Sequence, residues 1–113
     1  MDLNAELHDA NVLGMSFVPD SKALSFQLKR GQTRSVLLFE DTLFWTLSPF
    51  EEQNVLFELR TYASGQTPVE LAGDFTEERW QELQHQGYGC HVLDSSVGLH
   101  GYVVARRVLL TQV

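Results

Sequence analysis

The sequence predicts an α+β fold: an antiparallel, strongly twisted sheet of about six strands, with one main helix packed on a face. Three observations predict it. "NVLGMSFV" (11–18) and "ALSFQLK" (23–29) alternate apolar and polar residues around the turn "PDSK", as a hairpin with one buried face does. "DFTEERWQELQHQG" (74–87) has the caps and spacing of an amphipathic helix. Short runs rich in Val, Leu, Phe and Thr recur to the end of the chain, and these are strand formers. An all-β barrel is the alternative. At 113 residues the chain reads as a single domain, 1–113, with enough apolar content (43%) to fill a core.

In the first strand Leu13, Met15 and Phe17 share one phase, against Val12, Gly14 and Ser16. Pro19 and Asp20 suit the turn, through a pre-set φ and a side-chain bond to the local backbone. In the second strand Leu24, Phe26 and Leu28 point inward. "RSVLLFE" (34–40) is apolar on both phases in its middle, which predicts a central strand. "TLFWTL" (42–47) is a further short strand.

Ser48, Pro49 and Glu51 have the spacing of a capping box, which predicts a short helix near 49–53. "VLFELRTYA" (55–63) fits either a helical or an alternating pattern. The alternation is better, with Val55, Phe57 and Leu59 facing in and Glu58 and Arg60 facing out, so a strand is expected there. "VELAG" (69–73) suggests a short edge strand. The main helix, about 76–86, has Asp74 or Thr76 as its cap, Glu77 and Glu78 at its positive end, and Gly87 as its stop. Its apolar stripe of Trp80 and Leu83, with Phe75 as a staple, is narrow, so the helix should lie on the sheet. Segments 90–96 and 100–113 close the chain as strands. The apolar phase flips at Arg106-Arg107, which predicts a bulge or bend.

No phosphate-binding glycine motif is present. The longest apolar runs are four residues, far short of a membrane span, and "MDLNAELHDA" lacks the pattern of a secretory signal. With one cysteine, Cys90, no internal disulfide is expected. These features predict a cytoplasmic protein.

Candidate chemistry is sparse. Cys90 and His91 are neighbours on a strand, so they point to opposite faces and cannot pair with each other. The four histidines, with Asp9 or Asp94, show no metal-ligand spacing. His8 and Asp9 in "ELHDA" are adjacent, and they read as a turn that starts the first strand, anchored by Leu7. The expectation is therefore a non-enzymatic protein without cofactor or metal. The alternative is a small ligand- or metal-binding or hydrolase-like domain that gathers His8 and Asp9 with His91 or His100 in one pocket.

The net charge of −7 is unevenly placed. Residues 40–82 hold ten acidic and two basic side chains, a balance of −8, and the remainder sums to +1. An acidic face repels nucleic acid and suits a basic protein partner. The candidate partner-binding residues are Glu51, Glu52, Glu77 and Glu78, with Trp45 and Trp80 (and Phe44) as apolar anchors. An edge strand also leaves a homodimer open.

Leu7, His8, Asp9 and Ala10, together with Asn54 at the end of "SPFEEQN", carry a resemblance. The first half of the chain resembles small uncharacterised bacterial proteins in which a Leu-His-Asp-Ala segment precedes the first strand. Some of those are similar to immunity proteins of bacterial toxin systems. The resemblance implies a protein-binding role and no particular activity.

Overall fold

The computed structural model describes residues 3–113. In chain order the elements are α1 (Leu3–Leu7), β1 (Asn11–Val18), β2 (Ala23–Arg30), β3 (Thr33–Glu40), β4 (Phe44–Leu47), β5 (Val55–Tyr62), α2 (Glu77–His85), β6 (Gly89–Val97), β7 (Gly101–Ala105) and β8 (Arg107–Gln112). All neighbouring strands pair antiparallel, in the order β4-β7-β6-β5-β1-β2-β3-β8. The α+β class holds, with eight strands among the described residues rather than six.

The higher count has a physical origin. The final segment breaks at Arg106, where the apolar phase flips, and its two halves take different partners: β7 joins β6 and β4, and β8 joins β3. Only Arg106 separates β7 from β8, yet they stand second and eighth in the order. The sheet must therefore curl until its ends meet, as strand twist permits. The bent pair β3–β4 runs alongside the bent pair β7–β8. Arg106 N donates to Glu40 O (3.1 Å), and Leu43 N donates to Val104 O (2.9 Å), across the two bends. Asp41, at φ 53°, makes the turn in the first of them.

The curl creates an inside and an outside. Leu24, Phe26, Leu37, Phe39, Leu93 and Val103 are among the residues that fill the inside. A second core lies outside, between β6–β7 and α2, and includes Trp80, Leu83, Cys90, Val92 and Val104. Alternate residues of β6 and β7 thus serve two cores, one on each face. α2 has the predicted ends. Thr76 caps it by accepting from Arg79 N (3.1 Å), and Gly87 (φ 87°) stops it. The bonds Tyr88 N to Leu83 O and Gly87 N to Gln84 O (2.9 and 3.0 Å) form a Schellman closure.

Four local expectations are corrected. In β5 register shifts on both sides of Leu56 turn Leu56 inward and leave Phe57, expected to face in, half exposed. Residues 48–54 are not helical. Ser48 pairs with His100 instead of capping: Ser48 N donates to His100 O (2.8 Å), and His100 N donates to Ser48 Oγ (2.9 Å). Residues 69–73 form turns, not a strand, with Leu71 N bonded to Pro68 O (2.9 Å) and Leu71 plugged into the outer core. In β1 a register shift between Val12 and Gly14 turns Val12 inward and leaves Leu13 half exposed.

Asn54 locks the segment that replaced the helix. It is buried, and its Oδ1 accepts from Glu51 N (3.0 Å) and Leu99 N (2.9 Å). Its Nδ2 donates to Glu51 O (3.0 Å), and its own carbonyl accepts from Val12 N (2.7 Å). Gly98 (φ 82°) makes this approach possible, because a Cβ there would fall 2.2 Å from Gln53 O.

Candidate functional site

β5 and β6 set Glu58 opposite Asp94 on the outer face, a like-charge pair that would be unfavourable alone. Arg60, two residues along on the same face, resolves it. Its guanidinium grips Asp94 through two bonds (Nε to Oδ2 2.8 Å, Nη2 to Oδ1 3.3 Å). It also donates to Glu70 Oε2 (3.1 Å) and the Tyr62 hydroxyl (2.8 Å), with Glu58 at 3.7 Å. The hydrogen bond that Arg60 donates to Asp94 is the main reason its cation is held even more firmly than usual.

Three carboxylates thus share one guanidinium, a net −2. A cleft of about 150 Å³ opens beside them, lined by Arg60, Glu70, Asp94, His100 and Tyr102 with the β6 and β7 backbone. The Tyr102 hydroxyl donates to Asp74 Oδ2 (2.5 Å), and burial, followed by that bond, pushes the phenol up. Glu70 Oε1 is buried and meets no hydrogen-bond partner among the described residues. Beneath the cleft, burial pushes the Cys90 thiol up to about 12, with the Glu70 carboxylate adding to it. Cys90 is fully buried and packs in the outer core. The cluster can accept hydrogen bonds and hold a cationic group.

The sequence candidates lie in different settings. Glu51 and Glu52 are exposed on the Asn54-locked loop, beside a shallow hollow shared with Gln53 and Val97. Glu78 is exposed on α2. Glu77 ties the 63–68 loop to the helix, accepting from Thr67 N (2.9 Å), the Thr67 hydroxyl and Gln81 Nε2 (2.8 Å); these bonds, Thr67 first, lower its carboxyl from the usual range. Trp80 cannot be an exposed anchor. It is fully buried in the outer core, with Nε1 donating to Gly65 O (3.1 Å). Trp45 is half-buried against Phe17, ring centres 4.8 Å apart. Phe44 keeps 37% of its surface exposed, beside Phe75 and Tyr102.

The histidines are not brought together. His8 lies at the end of α1, half exposed, with Nδ1 bonded to Phe57 O (3.2 Å) and Asp9 Oδ2 3.6 Å from Nε2. Asp9 has φ 65°, and its N–H donates to Leu56 O (3.0 Å), so the pair forms the turn into β1. His91 points into the curled sheet, between the Thr61 hydroxyl (2.9 Å) and Ala105 O (3.3 Å), against Phe39. Burial pushes its ring below the usual imidazole range. His100 sits on the loop between β6 and β7, its Nδ1 3.2 Å from Gly98 O. Among the described residues no group of three or more His, Cys, Asp or Glu side chains is arranged to hold a metal ion.

Sequence reasoning placed Glu58 and Arg60 on an outward face but missed their cluster. Asp94 and Glu70 join it only through the β5–β6 register and the turns after Pro68, and neither leaves a pattern in the sequence. No family model matches the chain, and no curated protein or solved structure matches it. Fold and site together define a curled antiparallel sheet with an acidic cleft beside a surface-packed helix. No helix among the described residues is long and apolar enough to cross a membrane.

Proposed function

We propose that this protein is a non-enzymatic interaction module that binds a basic protein partner through its acidic side. The carrying observation is the net −2 cluster of Glu58, Glu70, Asp94 and Arg60, open to a cleft, with one buried Glu70 oxygen unmatched. Glu51, Glu52 and Glu78 extend the negative field from exposed positions. Such a field attracts a basic surface over a Debye length and raises the encounter rate. The half-exposed Phe44, near Tyr102 at the cleft, supplies an apolar contact that carboxylates cannot. The resemblance at Leu7–Ala10 and Asn54 fits the same reading, that of a bacterial immunity-type protein neutralising a basic toxin.

The competing reading, a ligand-binding or hydrolase-like pocket of His8, Asp9 and His91 or His100, has its members in different settings: His91 is buried inside the sheet, whereas His8, Asp9 and His100 are exposed. The test is affinity capture from the native host, with wild-type protein beside a Glu51→Lys, Glu52→Lys, Glu78→Lys variant. A basic protein retained by the wild type and lost by the variant supports the proposal. Equal retention by both removes it.

A further inference from the structure

We propose that β8 is a dimerisation edge, at which two copies of this chain pair their β8 strands antiparallel about a two-fold axis at Leu109. β8 stands last in the strand order and pairs only with β3, so its other edge meets no strand among the described residues. An open groove of about 360 Å³ runs beside it, lined by Glu6, Leu110, Thr111 and Gln112. Edges are ordinarily guarded by proline, charged side chains (lysine above all) or a bulge. β8 reads RVLLTQ: it has no proline, lysine or bulge, its one charge is Arg107 at the first position, engaged by Glu40, and its register with β3 is unbroken from Arg107 to Gln112.

The faces of β8 limit the register to axes that pass through a residue. Val108 and Leu110 pack against the inner core, while Arg107, Leu109 and Thr111 are exposed outward. Residues opposite each other in a sheet share a face, so a continuous two-fold ladder must set outward residues against outward ones. An axis through Leu109 does so. Leu109 meets its own copy, Arg107 meets Thr111, and Val108 meets Leu110. No like charges are opposed, and each Arg107 keeps its own Glu40 (3.1 Å). Leu109, 46% exposed in the single chain, is withdrawn from water.

Charge argues for a second copy as the occupant. Two chains of net −7 repel, but the excess is confined to residues 40–82 and the rest sums to +1. β8 belongs to the rest. The carboxylates at its start, Glu40 and Asp41, are engaged by Arg106 and Arg107, and Glu6 at its other end shares a hollow with Arg30. An isologous contact here joins segments that lie outside 40–82.

The experiment is molar mass by light scattering across concentrations up to the millimolar range, with two cysteine variants oxidised in parallel. The wild type should rise from 12.8 kDa toward twice that mass. Leu109→Lys places two ammonium groups on the axis and should hold the single-chain mass at every concentration. Leu109→Cys should cross-link between copies, while the inward Leu110→Cys should not. A wild type that stays at the single-chain mass overturns the proposal, as does a Leu109→Lys dimer or equal cross-linking of both variants. Capture of a foreign extended peptide at Leu109 by a monomeric wild type also overturns it, and assigns the edge to another strand.

Discussion

Strands β2, β3 and β8 pair without a single register shift and leave their outer face uncovered, whereas β5 and β6 shift twice and carry Glu58, Arg60 and Asp94 on theirs. The second side is also the one that receives α2 and the 63–76 turns. Regular pairing suffices where the sheet is only a wall. Where charged side chains converge, the strands carry bulges and a second core lies beside them. The covered side should therefore be separable from the wall by mutation.

The largest effect is expected at Trp80, which fills the outer core alone among the large aromatics of α2. Trp80→Ala should cost about 3–5 kcal/mol. Amide exchange should accelerate first in α2 and 63–76, while β2 and β3 remain protected. Phe26→Ala, of similar cost, should instead loosen both sides together, since Phe26 lies in the inner core. Chemical denaturation with hydrogen-exchange mass spectrometry checks both. Uniform loosening in Trp80→Ala would show that the two cores are not separable.

Asn54→Ala comes next. It leaves the Glu51 and Leu99 N–H groups without their acceptor, and about 2–3 kcal/mol should be lost in denaturant unfolding. The loop bearing Glu51 and Glu52 should lose its order in the same variant, readable as faster proteolysis there.

These residues also show what the sequence could disclose. The hairpin, the bend at Arg106 and both ends of α2 were legible because each depends on a local pattern: alternation, a phase flip, a cap and a glycine. The false helix at 49–53 had an equally good local pattern. It lost because Ser48 found a backbone partner in His100, and Asn54 found one in Leu99, both more than 40 residues away. The same blindness hid the cleft. Glu58 and Arg60 were visible as an outward pair, but Asp94 and Glu70 reach them only through register and turns. Trp80 was misjudged because a narrow apolar stripe does not reveal how completely 63–76 closes over it.

A smaller effect sharpens the inside–outside contrast. His91 lies inside the sheet with its ring held neutral by burial, its folded pKa below the ordinary value of about 6.5. Above that value folded and unfolded chains are both neutral there, and the full stability is present. As pH falls through it, the unfolded chain takes up a proton that the folded chain refuses, and stability drops by up to about 1.4 kcal/mol per pH unit. His91→Gln keeps hydrogen-bonding capacity without titrating. The stability difference, wild type minus variant, should decline between pH 7 and pH 5, and a flat difference would contradict the buried neutral ring. The smallest effect belongs to the bare wall: Leu109→Lys should change the stability of the single chain by no more than about 0.5 kcal/mol.

The proposed function has the acidic side attract a basic partner. The most direct measurement is the association rate of the captured partner with wild type and with the Glu51→Lys, Glu52→Lys, Glu78→Lys variant, each at several salt concentrations. With the cleft cluster intact in both proteins, a wild-type rate that falls steeply with salt and a variant rate that is lower at low salt and falls less steeply are expected. Equal rates with the same salt dependence in both proteins would contradict it.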